Sequence, residues 1–203
     1  MKIYDNFLSD NDWKTIQYTL HDSDFPWTFS QKTTPIENSN FYRNKRQFID
    51  NNGGEADPYN TQLNHFFVDS RLQRNSVHSK ILQPILNKYR CISIARIKAN
   101  LQLANKEPIV SDFHHDYFYS HHSDRKEIPE PALTTLIYYV NTNNGYTEFE
   151  DGTKVASLEN RLIEFPNDNP KGRHRGVSQT DTYYRAVINF NLYVSSSQIP
   201  WKN

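Results

Sequence analysis

The chain has 203 residues, enough for one domain with a substantial core, and 14% aromatic residues offset an apolar content of only 36%. Its charge is balanced, 23 Lys+Arg against 23 Asp+Glu, which argues against a general attraction to nucleic acid or to anionic membranes. The single cysteine, Cys91, excludes an intrachain disulfide and a thiolate-rich zinc site. Reducing surroundings, no apolar run of membrane-spanning length and no leader-like N-terminus together lead us to expect a soluble, cytoplasmic protein.

In chain order, residues 9–22 predict a helix. Ser9 is a good N-cap, Asp12 stands at the capping-box position, and Trp13, Ile16 and Leu20 fall on one face. Pro26 punctuates the segment after it. Residues 31–65 show no clean period, and Asn52-Gly53-Gly54 reads as a turn or loop. Residues 76–89 read as a second helix with Val77, Ile81, Leu82, Ile85, Leu86 and Tyr89 on one stripe, in which Pro84 marks either a kink or the real start. From Ile92 onward the pattern is strands and turns. Runs fall at 92–97, 109–118, 133–141, 146–149, 161–165 and 182–194, with turns at Asn143-Asn144-Gly145, Asp151-Gly152 and Pro170-Lys171-Gly172. Short strands without intervening helices predict a mainly β sandwich or barrel, with N-terminal helices packed on one sheet. Residues 1–203 thus read as a single domain, with a helical support region at 1–90 and a β core at 91–194.

Period-2 alternation sorts the faces of two strands. In 185–192, Arg185, Val187, Asn189 and Asn191 share a face that can line a cavity, while Ala186, Ile188, Phe190 and Leu192 share an apolar one. In 135–141, Thr135, Ile137, Tyr139 and Asn141 lie opposite Leu136, Tyr138 and Val140.

Three features carry chemistry. His114 and Asp116 stand at i and i+2, so on a strand an imidazole and a carboxylate point the same way and can share a divalent metal. The bland alternative is a surface histidine beside an acid. His174 lies in Gly172-Arg173-His174-Arg175-Gly176, which otherwise reads as a basic surface loop or, with Lys171, a phosphate or nucleic-acid contact. Arg185, on the cavity face, needs an anionic partner if buried: a ligand carboxylate, or an acid such as Glu148 or Glu164. Two histidines and one carboxylate are the facial triad of non-heme Fe(II) oxygenases.

This order, His-x-Asp, a distant histidine, then an arginine on the following strand, resembles the 2-oxoglutarate/Fe(II) oxygenase superfamily. Leu133 to Asn141, with Tyr139, is similar to a strand of its prolyl-hydroxylase-like members. Gly145 to Phe149 and Leu162 to Pro166 resemble the segments that precede the distal histidine. Asp5-Asn6-Phe7-Leu8 and Phe25-Pro26-Trp27 resemble uncharacterised phage-type members, for which the cytoplasm would be that of the host. The likeness covers about residues 92–194, and Arg173 and Arg175 beside the distal histidine depart from the usual pattern.

The resemblance implies a double-stranded β-helix, a jelly-roll or cupin-like barrel. It implies Fe(II) held by His114, Asp116 and His174, and 2-oxoglutarate held at its far carboxylate by Arg185 and Tyr139. It further implies O2 as oxidant, ascorbate as a candidate reductant, and hydroxylation of a peptidyl proline, another protein residue or a small molecule, with release of succinate and CO2. The competing reading is a cupin-like metal protein or dioxygenase that does not use 2-oxoglutarate. His115 is expected to turn away from the site, Asn189 to be a minor cavity contact, and Tyr117 to His122 to lie in a loop over the substrate.

Overall fold

The structure is a computed structural model that describes residues 1–30, 62–116, 133–167 and 172–195. After a short strand β1 (Lys2–Tyr4), helix α1 spans Asp10–His21. Ser9 caps it by accepting from the Asp12 amide, while its hydroxyl donates to the Asp12 carboxylate at 2.7 Å. The helix buries Ile16 and Leu20, each such side chain contributing roughly 1.5–3 kcal/mol. Strands β2 (Thr28–Ser30), β3 (Gln62–Asp69) and β4 (Arg74–Asn75) follow.

The expected second helix is shorter than its apolar stripe. Val77–Leu82 is a 3₁₀ segment, and only Gln83–Leu86 (α2) is α-helical. Pro84 sits in the first turn of α2, where a missing N–H costs nothing, so it marks a start and not a kink. Val77 is exposed because the 3₁₀ period rotates it off the stripe.

The remaining strands are β5 (Cys91–Leu103), β6 (Leu133–Tyr139), β7 (Tyr146–Phe149), β8 (Lys154–Ala156), β9 (Arg161–Pro166), β10 (His174–Val177) and β11 (Tyr184–Val194). They form two antiparallel sheets. The larger runs β1-β9-β6-β11-β5-β3-β2 with β4 beside β3, and the smaller runs β10-β7-β8. Three expectations are corrected here. Residues 62–65, the end of the stretch that shows no clean period, open strand β3 (62–69) within the large sheet, so the N-terminal ninety residues supply strands as well as helices. His174 begins strand β10 and is not part of a turn. Residues 109–116 form no continuous strand and are held by isolated bridges at Val110 and His114. The Asn52-Gly53-Gly54 turn, the loop from Tyr117 to His122, and Pro170-Lys171 lie outside the described residues.

The face assignments hold. Leu136, Tyr138, Val140, Ala186, Ile188, Phe190 and Leu192 pack with Ile16 and Leu20 of α1 and with Leu82 and Ile85 in one core. Ile137, Tyr139 and Val187 face the small sheet and meet Phe149, Val155, Ile163 and Phe165 in a second. Asn160, at φ 56°, ties the N-terminal segment to this frame. Its carboxamide accepts from the Leu8 amide and donates to the Leu8 carbonyl, both at 2.9 Å. A polar cavity opens between the two sheets.

Candidate metal centre

His114, Asp116 and His174 converge on this cavity, with one potential ligand atom from each lying within 4.8 Å of the others. The pairing does not come from a strand through 114–116. It comes from a reciprocal bridge, in which the amides of His114 and His174 each donate to the other's carbonyl at 2.9 and 3.0 Å. This joins an irregular segment to the edge of the small sheet and sets the two imidazoles 4.9 Å apart. Phe165 packs edge-on against His174 at 5.0 Å.

Each ring is oriented by its own backbone. His114 Nδ1 lies 2.8 Å from the Asp112 carbonyl and His174 Nδ1 2.9 Å from that of Gly172. A carbonyl only accepts, so Nδ1 carries the proton and the Nε2 lone pair is free. Both Nε2 atoms face Asp116, at 3.9 and 3.8 Å. Burial, helped by the neighbouring His174, pushes His114 down to about 4, so it stays neutral and able to ligate at neutral pH. Burial works against the Asp116 carboxylate, but His174, Arg96, His114 and the Asn189 amide outweigh it, and its pKa falls below the ordinary value. Two imidazoles with their Nε2 atoms turned to one carboxylate, and with ring orientation already fixed, form a donor set that fits a divalent metal.

Asn189 does more than the expected minor contact. Its Nδ2 donates to both Asp116 oxygens at 3.0 Å, and Arg96 stands 3.4 Å from the same carboxylate. His115, expected to turn away, also lines the cavity, because no regular strand imposes alternation there. His21, His65 and His78 do not take part. For example, His65 bridges the Pro26 carbonyl and the Ser76 hydroxyl at 3.0 and 2.9 Å.

Arg185 lies deep in the same cavity and is 5% exposed. Its Nε donates to Ser157 at 2.9 Å and its Nη2 to Thr147 at 3.3 Å. Among the described residues no carboxylate pairs with it. Glu148 is taken by Arg175 at 2.7 Å and Glu164 by Lys2 at 2.9 Å. Burial disfavours its charge, so it is a cation held without an anion. The Tyr139 hydroxyl donates to Thr147 at 2.8 Å, placing the phenol in the same cluster with the guanidinium 5.8 Å from its ring. A Cβ on Gly145 would meet the Arg185 Cδ, the Asn143 Oδ1 and the Val177 carbonyl oxygen, each at 2.8 Å, so glycine is what lets the arginine stem and the β10 backbone both approach.

Arg173, just before β10, and Arg175, on it, flank His174. Arg173 pairs with Glu150 at 2.9 Å and Arg175 with Glu148, so a free basic loop has no arginines left to build it. Sequence reading missed Thr147 and Ser157, which hold Arg185, and a polar row on β5. Arg96, Lys98, Asn100 and Gln102 all line the cavity. Their strict alternation with Ile97, Ala99 and Leu101 was the available signal.

No protein-family model and no curated protein matches the chain. Solved structures do. The viral collagen prolyl hydroxylase of Paramecium bursaria Chlorella virus-1, in its 2OG complex, aligns with TM-score 0.55 and 14% identity over 96% of each chain. A Trichoplax adhaerens prolyl hydroxylase, in complex with a hypoxia inducible factor oxygen degradation domain peptide fragment, aligns with TM-score 0.51 and 13% identity over 95% of this chain and 83% of that one. The chain therefore has the double-stranded β-helix fold of the prolyl hydroxylases. No described helix is long and apolar enough to cross a membrane.

Proposed function

We propose that the protein is an Fe(II)- and 2-oxoglutarate-dependent oxygenase that hydroxylates a residue of a peptide or protein. The observation that carries this reading is the co-location, in one cavity, of a two-histidine, one-carboxylate cluster and a buried arginine lacking an acidic partner among the described residues. A cupin-like metal protein that does not use 2-oxoglutarate would need the cluster and not the arginine. The neighbours' names support the two organic components, since one was solved with 2OG and another with a peptide.

In this reading His114 Nε2, His174 Nε2 and an Asp116 oxygen hold the metal. When bound, Fe(II) and 2-oxoglutarate supply the oxidising chemistry, in which O2 hydroxylates the substrate as the keto acid becomes succinate and CO2. The protein's part is positioning. Asn189 fixes the plane of the Asp116 carboxylate, and the Asp112 and Gly172 carbonyls fix the two imidazoles. Arg185 offers a planar fork to the far carboxylate of 2-oxoglutarate, in surroundings where burial strengthens the pair. A carboxylate seated there competes with Thr147 for the Tyr139 hydroxyl, which supplies a further donor. Ile137 and Val187 give this end of the cavity apolar walls that limit water.

The test is an anaerobic titration of metal-free protein with Fe(II) and then 2-oxoglutarate, watched for the visible charge-transfer band of a chelated keto acid. The wild type gives the band, Arg185→Ala needs at least tenfold more 2-oxoglutarate, and His174→Ala gives none. Iron binding without a band would favour the cupin-like alternative. No iron binding would end the enzyme reading.

A further inference from the structure

The cavity has a second cationic station that the triad and Arg185 do not use. Lys98 lines it, and desolvation, with Arg96 adding repulsion, outweighs the attraction of Asp116 and lowers its pKa to about 8. Among the described residues its ammonium has no hydrogen-bond or ion-pair contact; it lies 5.4 Å from the Phe66 ring and is attracted by Asp116 at longer range. The other cations are accounted for. Arg96 is engaged by Asp116 at 3.4 Å and by the Asn191 carboxamide at 3.1 Å, Arg71 faces Asp69 at 3.8 Å, and Arg185 is assigned above to the co-substrate.

Position is equally specific. Lys98 is the register partner of Asn189, whose amide holds Asp116, so its side chain emerges beside the metal cluster. Arg185, four residues along β11 from Asn189, is about 13 Å away at the rise of an extended strand. The two cations thus start from backbone positions well apart along the cavity, which suits two different anions. Asn189 Oδ1 is buried without a partner next to Lys98, an acceptor waiting for an N–H or O–H. A half-buried cation with no ion-pair partner among the described residues, set at a register position opposite an orphaned acceptor, describes a ligand with an anion and a nearby donor.

Building on the function proposed above, we infer that Lys98 receives a carboxylate of the substrate, with Asn189 Oδ1 accepting from an adjacent N–H or O–H. The substrate is therefore an acid, either an acidic residue within a peptide, as in the function proposed above, or a small acyl amino acid, which would keep the chemistry and replace the peptide. Its anion rests on Lys98 and its neighbouring carbon faces the metal.

Binding is measured calorimetrically on protein saturated with Mn(II) and 2-oxoglutarate, and again on metal-free protein. The probes are two matched pairs, N-acetylglycine against N-acetylglycinamide, and blocked Gly-Glu-Gly against blocked Gly-Gln-Gly. In the wild type the carboxylate member of at least one pair binds tenfold or more tightly, and which pair responds identifies the source. Lys98→Met erases that preference and Lys98→Arg retains it, while 2-oxoglutarate affinity stays within twofold in both. The inference is overturned if neither pair discriminates, if the preference survives Lys98→Met, or if Lys98→Met weakens 2-oxoglutarate tenfold, which would move Lys98 into the co-substrate site. Failure of 2-oxoglutarate to bind the Mn(II) protein would instead strike the functional reading, and the metal-free titrations would still decide the role of Lys98.

Discussion

The two faces of the large sheet belong to the same strands and do opposite things. On β11, Ala186, Ile188, Phe190 and Leu192 pack beneath α1 in a continuous apolar core. One residue out of phase, Arg185 and Asn189 face the cavity, one a cation without an acid among the described residues and the other with an unsatisfied oxygen. The helix-side face lowers the free energy of the fold. The cavity-side face raises it, and is kept because unsatisfied groups held in place are what a ligand satisfies.

Substitutions can break this contrast or sharpen it. The largest effect is expected on the helix side. Phe190, fully buried, should cost about 3–5 kcal/mol as Phe190→Ala, read by denaturant unfolding, because it leaves a cavity under α1. An equal loss from removing a cavity-side cation would abolish the contrast.

The next effect has the opposite sign. Lys98→Met should stabilise the metal-free protein near pH 7, by roughly 3 kcal/mol at most, since it removes a charge whose folded pKa of about 8 lies below the ordinary 10.5. The unfolded chain stays protonated between those values while the folded one does not. Wild-type stability therefore gains on the variant as pH rises from 8 through 10.5. Unfolding curves for both proteins across that range check it, and a constant difference would mean that Lys98 is not held as a buried charge.

The smallest effect sharpens the cavity side alone. Gly145→Ala should press on the Arg185 stem and on the Val177 carbonyl at the far end of β10 from His174, and weaken 2-oxoglutarate about tenfold, or ~1.4 kcal/mol, with a smaller loss of metal affinity. Equal losses of metal and 2-oxoglutarate would show a general distortion instead.

Most of the β core was legible because alternation is a local property of a strand. The faces of β6 and β11 and the extent of β7 followed from it. Strand β3 was not, because Gln62 and Asn64 place polar groups on its interior cavity face, and no apolar alternation survives. Strand β10 was hidden by Gly172 and Gly176, which read as turn residues. His114 and Asp116 were paired for a reason that proved incomplete. They meet His174 through a backbone bridge between distant segments, which no local period encodes.

What the sequence by itself determined is the set of residues able to hold a divalent metal, the cavity-facing arginine, and which side of β6 and β11 is apolar. These depend on side-chain chemistry and a two-residue repeat. What only the tertiary structure decided is which polar faces are interior. Arg96-Ile97-Lys98-Ala99-Asn100 has the alternation of an ordinary half-exposed strand. Closure of the small sheet across the large one removes water from its polar side, and the same charges become the lining of a site. Desolvation is a property of what lies opposite a residue, and a local pattern carries no record of it.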